Sequence, residues 1–212
     1  MTNQPIADKM RPCSFDEMAG QSHLISEHGV IRRMINSGRI TNMIFFGPPG
    51  TGKTTAANII AKNSDMELFK LNATTATLSD VKDVIAQSSS VFSSKGILLY
   101  LDEIQYFNKK QQQSLLEFIE DGRVTLIAST TENPYFYIYD ALISRCSVFE
   151  FKHISAKEIV PVMLRAMKVM NEEYGKEKVI SDEASEFLAS CSGGDVRHAL
   201  TLLEGAYFAS ED

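Results

Sequence analysis

Two rhythms of apolar residues alternate along the chain. Asn42-Met43-Ile44-Phe45-Phe46 is a short apolar run that stops at Gly47 and Pro48, and residues 54–63 then carry Ala56, Ala57, Ile59 and Ile60 at helical spacing. The pattern repeats: a strand is predicted over 67–71 and a helix over 79–88, with the serine-rich stretch 88–94 as a surface connection. Ile97-Leu98-Leu99-Tyr100-Leu101 is apolar on both sides, as a central parallel strand is. Asn108 and Gln111 have capping-box spacing, and Leu115, Leu116 and Ile119 give the helix behind them its stripe. Strands over 124–129 and 148–151 complete a set of five, and a further helix is predicted over 22–37. Strands alternating with helices imply a parallel sheet covered on both faces.

After Lys152 the pattern is helical only. Ser155-Ala156-Lys157-Glu158 is a capping box opening a helix to about Met170, Ser181-Asp182-Glu183 opens a second, and Gly193-Gly194-Asp195 opens a third carrying Leu200, Leu202 and Leu203. The expected organisation is an α/β domain over 1–152 followed by a small all-α domain over 153–212, without internal repeats.

Composition narrows the class. Across 212 residues, 44% apolar and 23% charged, the chain reads as globular, and a net charge of −6 supplies no overall basic field to draw it to nucleic acid or anionic lipid. No apolar run exceeds five residues, against the ~20 of a membrane helix. The start, Met1-Thr2-Asn3-Gln4-Pro5, has neither a basic nor an apolar leader region, so no signal peptide is expected. Cys13, Cys146 and Cys191 are odd in number and widely spaced, which argues against disulfides and fits a reducing cytosol. The four histidines show no metal-ligand spacing.

The chemistry sits at strand ends. Gly47-Pro48-Pro49-Gly50-Thr51-Gly52-Lys53-Thr54 fits G-x-x-x-x-G-K-[ST] between an apolar strand and an Ala-rich helix. Its glycines let backbone N–H groups turn toward a phosphate at the positive end of that helix. Lys53 supplies charge to the β- and γ-phosphates, and the Thr54 hydroxyl can ligate Mg²⁺. Asp102 and Glu103 close the strand that begins at Ile97, and strand alternation points them in different directions, so one can hold Mg²⁺ while the other polarises water. A Glu directly after a metal-binding Asp favours hydrolysis over phosphoryl transfer to a small molecule, because the Glu supplies a base for water. Thr130 and Thr131 end the strand starting at Val124, where ligands of parallel sheets bind.

The order of these elements resembles the AAA+ ATPases, P-loop NTPases of α/β class, within them the clamp-loader clade, and most narrowly the replication-associated recombination protein A family. The residues that carry the resemblance are Met10-Arg11-Pro12, Phe15-Asp16-Glu17-Met18-Ala19-Gly20-Gln21, Gly47 to Thr54 and the run from Leu101 to Gln113. Thr130-Thr131-Glu132-Asn133-Pro134, Ser144-Arg145-Cys146 and Gly194-Asp195-Val196-Arg197 complete the set. The resemblance implies a five-stranded parallel sheet with a helical lid. It implies that Arg11, Pro12, Gly20 and Gln21 flank the adenine, that Lys53, Thr54 and the adjoining Thr55 belong to Walker A, and that Asp102 and Glu103 form Walker B. Thr131 would be sensor 1, Arg197 sensor 2, and Arg145 an arginine finger offered to a neighbouring subunit.

By the same resemblance the activity is a Mg²⁺-dependent ATPase acting on single-stranded, gapped or forked DNA in fork maintenance, recombination and repair. It would be cytoplasmic and nucleoid-associated, with replication proteins such as single-strand-binding protein as partners. Family members continue beyond residue 212 into a region tied to homo-oligomerisation, so this chain is expected to be a slow, mostly monomeric ATPase portion. A protein remodeller is disfavoured because Asn72-Ala73-Thr74-Thr75-Ala76-Thr77 lacks an aromatic pore loop, and a non-hydrolysing scaffold because Lys53 and Glu103 are both present. A small-molecule kinase would leave Arg145 without a role. Lys109 and Lys110 read either as a solvated helix face or as contacts to a strand threading a ring.

Overall fold

The computed structural model describes residues 4–64, 66–90 and 96–210. The chain opens with α1 (Ile6–Lys9), a 3₁₀ turn (Phe15–Glu17), α2 (Ser22–Ile25) and α3 (Val30–Asn36). It continues through β1 (Met43–Phe46), α4 (Lys53–Lys62), β2 (Glu67–Asn72), α5 (Leu78–Ser90) and β3 (Ile97–Asp102). A second 3₁₀ turn (Ile104–Tyr106) leads to α6 (Lys109–Glu120), β4 (Val124–Thr130), α7 (Pro134–Tyr137), α8 (Asp140–Ile143) and β5 (Ser147–Glu150). The last elements are α9 (Ala156–Tyr174), α10 (Asp182–Cys191) and α11 (Val196–Ala209).

These residues form two compact units. One runs over His23–Gly47 and Lys53–Phe151 and contains the sheet. Its five strands are all parallel, in the order β2-β3-β4-β1-β5. Because the strands are parallel, the ends of β1, β3 and β4, at Phe46, Asp102 and Thr130, emerge on one edge. Residues 97–101 are buried throughout, the burial expected of a strand with neighbours on both sides. On one face Ile44, Leu99, Leu101, Leu126 and Ala128 pack against Val81 and Ile85 of α5 and Leu115, Phe118 and Ile119 of α6. Each large side chain so buried contributes about 1.5–3 kcal/mol, which fixes the strand ends that carry polar groups.

The capping box of α6 forms in both directions, Gln111 N donating to Asn108 Oδ1 at 3.0 Å and Asn108 N to Gln111 Oε1 at 2.9 Å. The helix expected over 22–37 is instead two, α2 and α3. Gly29 N bonds back to the Ser26 carbonyl, and a Cβ at Gly29 would lie 2.3 Å from the Leu24 carbonyl oxygen, so a tight turn interrupts the helical run. Of the serine-rich stretch 88–94, α5 takes the first part to Ser90, and 91–94 lie outside the described residues.

The other unit comprises the residues up to Ser22, the loop Pro48–Gly52, and the chain from Lys152. Ile159, Met163, Ala166 and Met170 form one stripe of α9 and pack with Ala189 of α10 and with Ala199, Leu200, Leu203 and Tyr207 of α11. The capping box at Ser155 and Glu158 opens α9, which runs past Met170 to Tyr174 and ends on Gly175 in the left-handed conformation. The N-terminal segment, grouped in the sequence with residues 1–152, belongs to these helices: Ile6 is buried in their cluster and its N–H donates to the Glu204 carboxylate at 3.1 Å.

Candidate active site

The glycine-rich loop begins where β1 leaves the sheet, with Gly47 N donating to the Thr130 carbonyl at 3.2 Å. Gly47 has φ 137°, and a Cβ there would stand 2.0 Å from the Phe151 carbonyl oxygen. Gly50 has φ 65°, and its Cβ would fall 1.8 Å from a carboxylate oxygen of Asp195, the residue that caps α11. Gly52, at φ 99°, also lies in the region that disfavours side chains. Thr51 closes the turn by donating its hydroxyl to the Pro48 carbonyl at 2.8 Å, while Pro49 is exposed. Lys53 opens α4, is buried, and donates from Nζ to the Gly47 carbonyl at 2.6 Å. Thr54 and Thr55 occupy the next two positions of that first turn, where the helix presents unpaired N–H groups and partial positive charge.

Gln21 is also buried, at φ 56° behind Gly20 at φ 66°. Its side-chain amide donates to the Lys152 carbonyl at 2.6 Å and to the Thr51 carbonyl at 3.4 Å, and accepts from Lys152 N at 2.9 Å. Its donors and its acceptor are thus engaged with backbone, one contact lying on the phosphate loop itself. Arg11 is exposed and paired with Asp8 at 2.7 Å, and Pro12 is half-buried beside it in sequence.

At the end of β3 the two carboxylates diverge by more than strand alternation. Asp102 keeps strand geometry, whereas Glu103 turns into the left-handed region (φ 55°, ψ 46°) and starts the following 3₁₀ turn. Such a conformation costs a non-glycine residue about 1–3 kcal/mol, a strain characteristic of functional positions. Glu103 Oε2 accepts from Gln105 Nε2 at 2.6 Å, which fixes the carboxylate within its own turn.

Around Asp102 lies a cluster the sequence analysis did not single out. The Tyr100 hydroxyl is 3.0 Å from the Thr54 hydroxyl, 2.8 Å from Ser129 Oγ and 3.1 Å from Asp102 Oδ1. Ser129 donates directly to the same Asp102 oxygen. Burial first, and the Asp102 charge second, push the Tyr100 phenol well above its ordinary pKa, so it stays protonated. The signal was present in outline: a hydroxyl in an otherwise aliphatic strand, two residues before the aspartate and hence on its face.

Thr54 and Asp102 are hard oxygen donors joined through one phenol, a donor set suited to Mg²⁺. Among the described residues no group of three or more His, Cys, Asp or Glu could hold a metal ion alone. A divalent cation here would take its remaining oxygens from phosphate and water, the ordinary habit of Mg²⁺. The residues fit the ion.

The remaining candidates, Thr130 apart, are more exposed. Thr130 is buried and its hydroxyl accepts from Glu132 N at 3.0 Å, while Thr131, just past β4, faces solvent. Arg145, after α8, donates to Glu120 of α6, to the Ala141 carbonyl at 2.9 Å and to Ser144 Oγ at 3.2 Å. Arg197 is exposed in the first turn of α11, two residues beyond the Asp195 that abuts Gly50. Lys109 lies 5.0 Å over the Tyr139 ring and Lys110 is exposed. Among the described residues no helix is long and apolar enough to cross a membrane.

Residues 43–154 match the model of the ATPase family associated with various cellular activities. The chain is 41% identical over 202 residues to the replication-associated recombination protein A of Haemophilus influenzae, covering 94% of this chain and 45% of that protein. It is 37% identical over 205 residues to the Escherichia coli protein of the same name, covering 96% and 46%. The chain thus spans somewhat under half of these relatives. Among solved structures, the RuvB Holliday junction branch migration motor of Thermotoga maritima superposes with a TM-score of 0.77 at 26% identity, covering 94% of this chain and 65% of that one.

Proposed function

Because the chain belongs to the ATPase family associated with various cellular activities, we propose that it is the ATP-hydrolysing module of a DNA-dependent ATPase in replication-fork maintenance, recombination and repair. The observation that carries the nucleotide chemistry is the loop Gly47–Thr54, wound through three glycines of positive φ and closed by Lys53 on Gly47. In this reading its backbone N–H groups and Lys53 hold the β- and γ-phosphates, with Thr55 beside them. Bound Mg²⁺ would neutralise charge developing on the phosphates, and Thr54 and Asp102 are the groups that would hold it.

Glu103 then serves as the base that orients and deprotonates the attacking water, its carboxylate steadied by Gln105. Thr131 supplies a polar contact to the γ-phosphate, Arg197 a second cation, and Arg145 a charge for a neighbouring subunit's nucleotide. Arg11, Pro12 and Gly20 line the base, and Gln21 contributes there by bracing Thr51 and Lys152. The names of the replication-associated recombination relatives support DNA as the polymer acted on; a homo-oligomer as the working form and single-strand-binding protein as a partner belong to the same proposal.

Calorimetry tests the nucleotide site. Lys53→Ala removes the loop's only side-chain cation and abolishes tight Mg·ATP binding; unchanged affinity overturns the assignment. Steady-state turnover with and without single-stranded or gapped DNA tests the polymer.

A further inference from the structure

The hydroxyl cluster beside Asp102 has a fixed proton count. Three hydroxyls, of Thr54, Tyr100 and Ser129, make four contacts among themselves and with Asp102 Oδ1. Ser129 donates to Asp102 Oδ1 and so spends its proton there. Tyr100 donates its one proton to Asp102 Oδ1 at 3.1 Å and so has none left for Thr54. The 3.0 Å contact between Thr54 and Tyr100 must then use the proton of Thr54. That leaves the Thr54 oxygen with only lone pairs for any other partner. On Asp102, both donors fall on Oδ1, so Oδ2 is the oxygen left for one.

We infer that Tyr100 is a positioning residue for divalent-cation-assisted nucleotide binding: its buried hydroxyl fixes Thr54 and Asp102 as acceptors turned toward a common cation. The inference rests on the nucleotide-site reading above. Tyr100 is 2% exposed and its hydroxyl reaches both Thr54 and Asp102 from the middle of β3, so the device is built into the sheet rather than into a loop.

Tyr100→Phe keeps the ring and removes only the hydroxyl. The experiment is calorimetric titration of ADP into the 212-residue chain, once in EDTA and once across a series of Mg²⁺ concentrations. The expected result is ADP affinity in EDTA within about twofold of the parent, with the Mg²⁺ concentration for half-maximal enhancement raised about tenfold, the scale of one lost hydrogen bond to a charged network. Ser129→Ala, which removes the third hydroxyl, shifts the same midpoint by about threefold, and it decides the matter should Tyr100→Phe fail to fold. An unchanged midpoint overturns the inference, as does an equal loss of affinity in both arms, which a merely structural role would give. A parent chain that binds ADP no better with Mg²⁺ overturns the metal-site reading and the inference with it.

Discussion

Gly47 meets Phe151 backbone to backbone: a methyl on Gly47 would lie 2.0 Å from the Phe151 carbonyl oxygen. The phosphate loop therefore starts at a point where the chain beyond β1 and the chain beyond β5 already touch, with Phe151 N bonded to the Phe46 carbonyl at 2.7 Å. No rotamer relieves a clash with backbone. Gly47→Ala is expected to destabilise the fold by on the order of 3 kcal/mol, above the ~1 kcal/mol typical of point substitutions. Gly122→Ala, at φ 68° with nothing within 4 Å of the new methyl, meets backbone strain alone, roughly 1–2 kcal/mol. Urea unfolding of the two variants, read as a shift in midpoint at constant slope, checks the order.

The two carboxylates at the end of β3 should separate in their effects. Glu103→Gln keeps the shape and the turn but removes the base, so it binds ATP and fails to turn over, a loss of about 10²–10⁴ in rate. Asp102→Asn instead replaces the acceptor of the Tyr100 and Ser129 bonds, and the Mg²⁺ requirement itself shifts upward. Single-turnover hydrolysis alongside a Mg²⁺ titration distinguishes them; Glu103→Gln hydrolysing at the parent rate moves the water-activating role elsewhere.

Arg145 is held by Glu120 on the surface, and exposed pairs contribute at most about 1 kcal/mol, so Arg145→Ala leaves stability nearly unchanged. The effect expected of the substitution is on turnover between subunits. Turnover per subunit in the parent is expected to rise with protein concentration, and in Arg145→Ala that rise is lost, while the basal rate of the dilute chain stays. Light scattering with ATPase assays over a dilution series reads both. A strictly monomeric chain whose turnover collapses on Arg145→Ala excludes a role in trans.

Burial pushes the Cys146 thiol up to about 12, whereas Cys13 and Cys191 are exposed. The thiolate is the reactive form, so a thiol reagent at neutral pH should modify Cys13 and Cys191 quickly and Cys146 only on unfolding. With its folded pKa above the ordinary 9.0, the contribution of Cys146 is complete below that value and is lost as pH rises toward about 12. Three rapidly labelled thiols in the folded chain contradict this.

The strands and long helices were legible because their patterns are local. The unbroken run at Ile97–Leu101 and the Asn108–Gln111 and Ser155–Glu158 caps announce their elements within a few residues. The one-turn helices α7 and α8 carry no period at all, and the break at Gly29 depends on how closely the Leu24 carbonyl approaches. At the site, the loop and the Asp102–Glu103 pair could be read from spacing. The hydroxyl chain could not, because it needs the register that sets Leu101 opposite Ala128 and so brings Ser129 beside Asp102. The employment of Gln21 depends on a partner 131 residues away.

Gln21 treats Lys152 as a strand treats its neighbour, giving one bond to the carbonyl and taking one from the N–H. A single side chain thus substitutes for a missing ladder at a residue that lies outside every helix and strand. The Lys152 amide should therefore exchange its hydrogen with solvent as slowly as a sheet amide, despite its place in irregular chain. Since the same side-chain amide also holds the Thr51 carbonyl, release of that one proton becomes a clock for the opening of the phosphate loop, readable in the absence of any nucleotide.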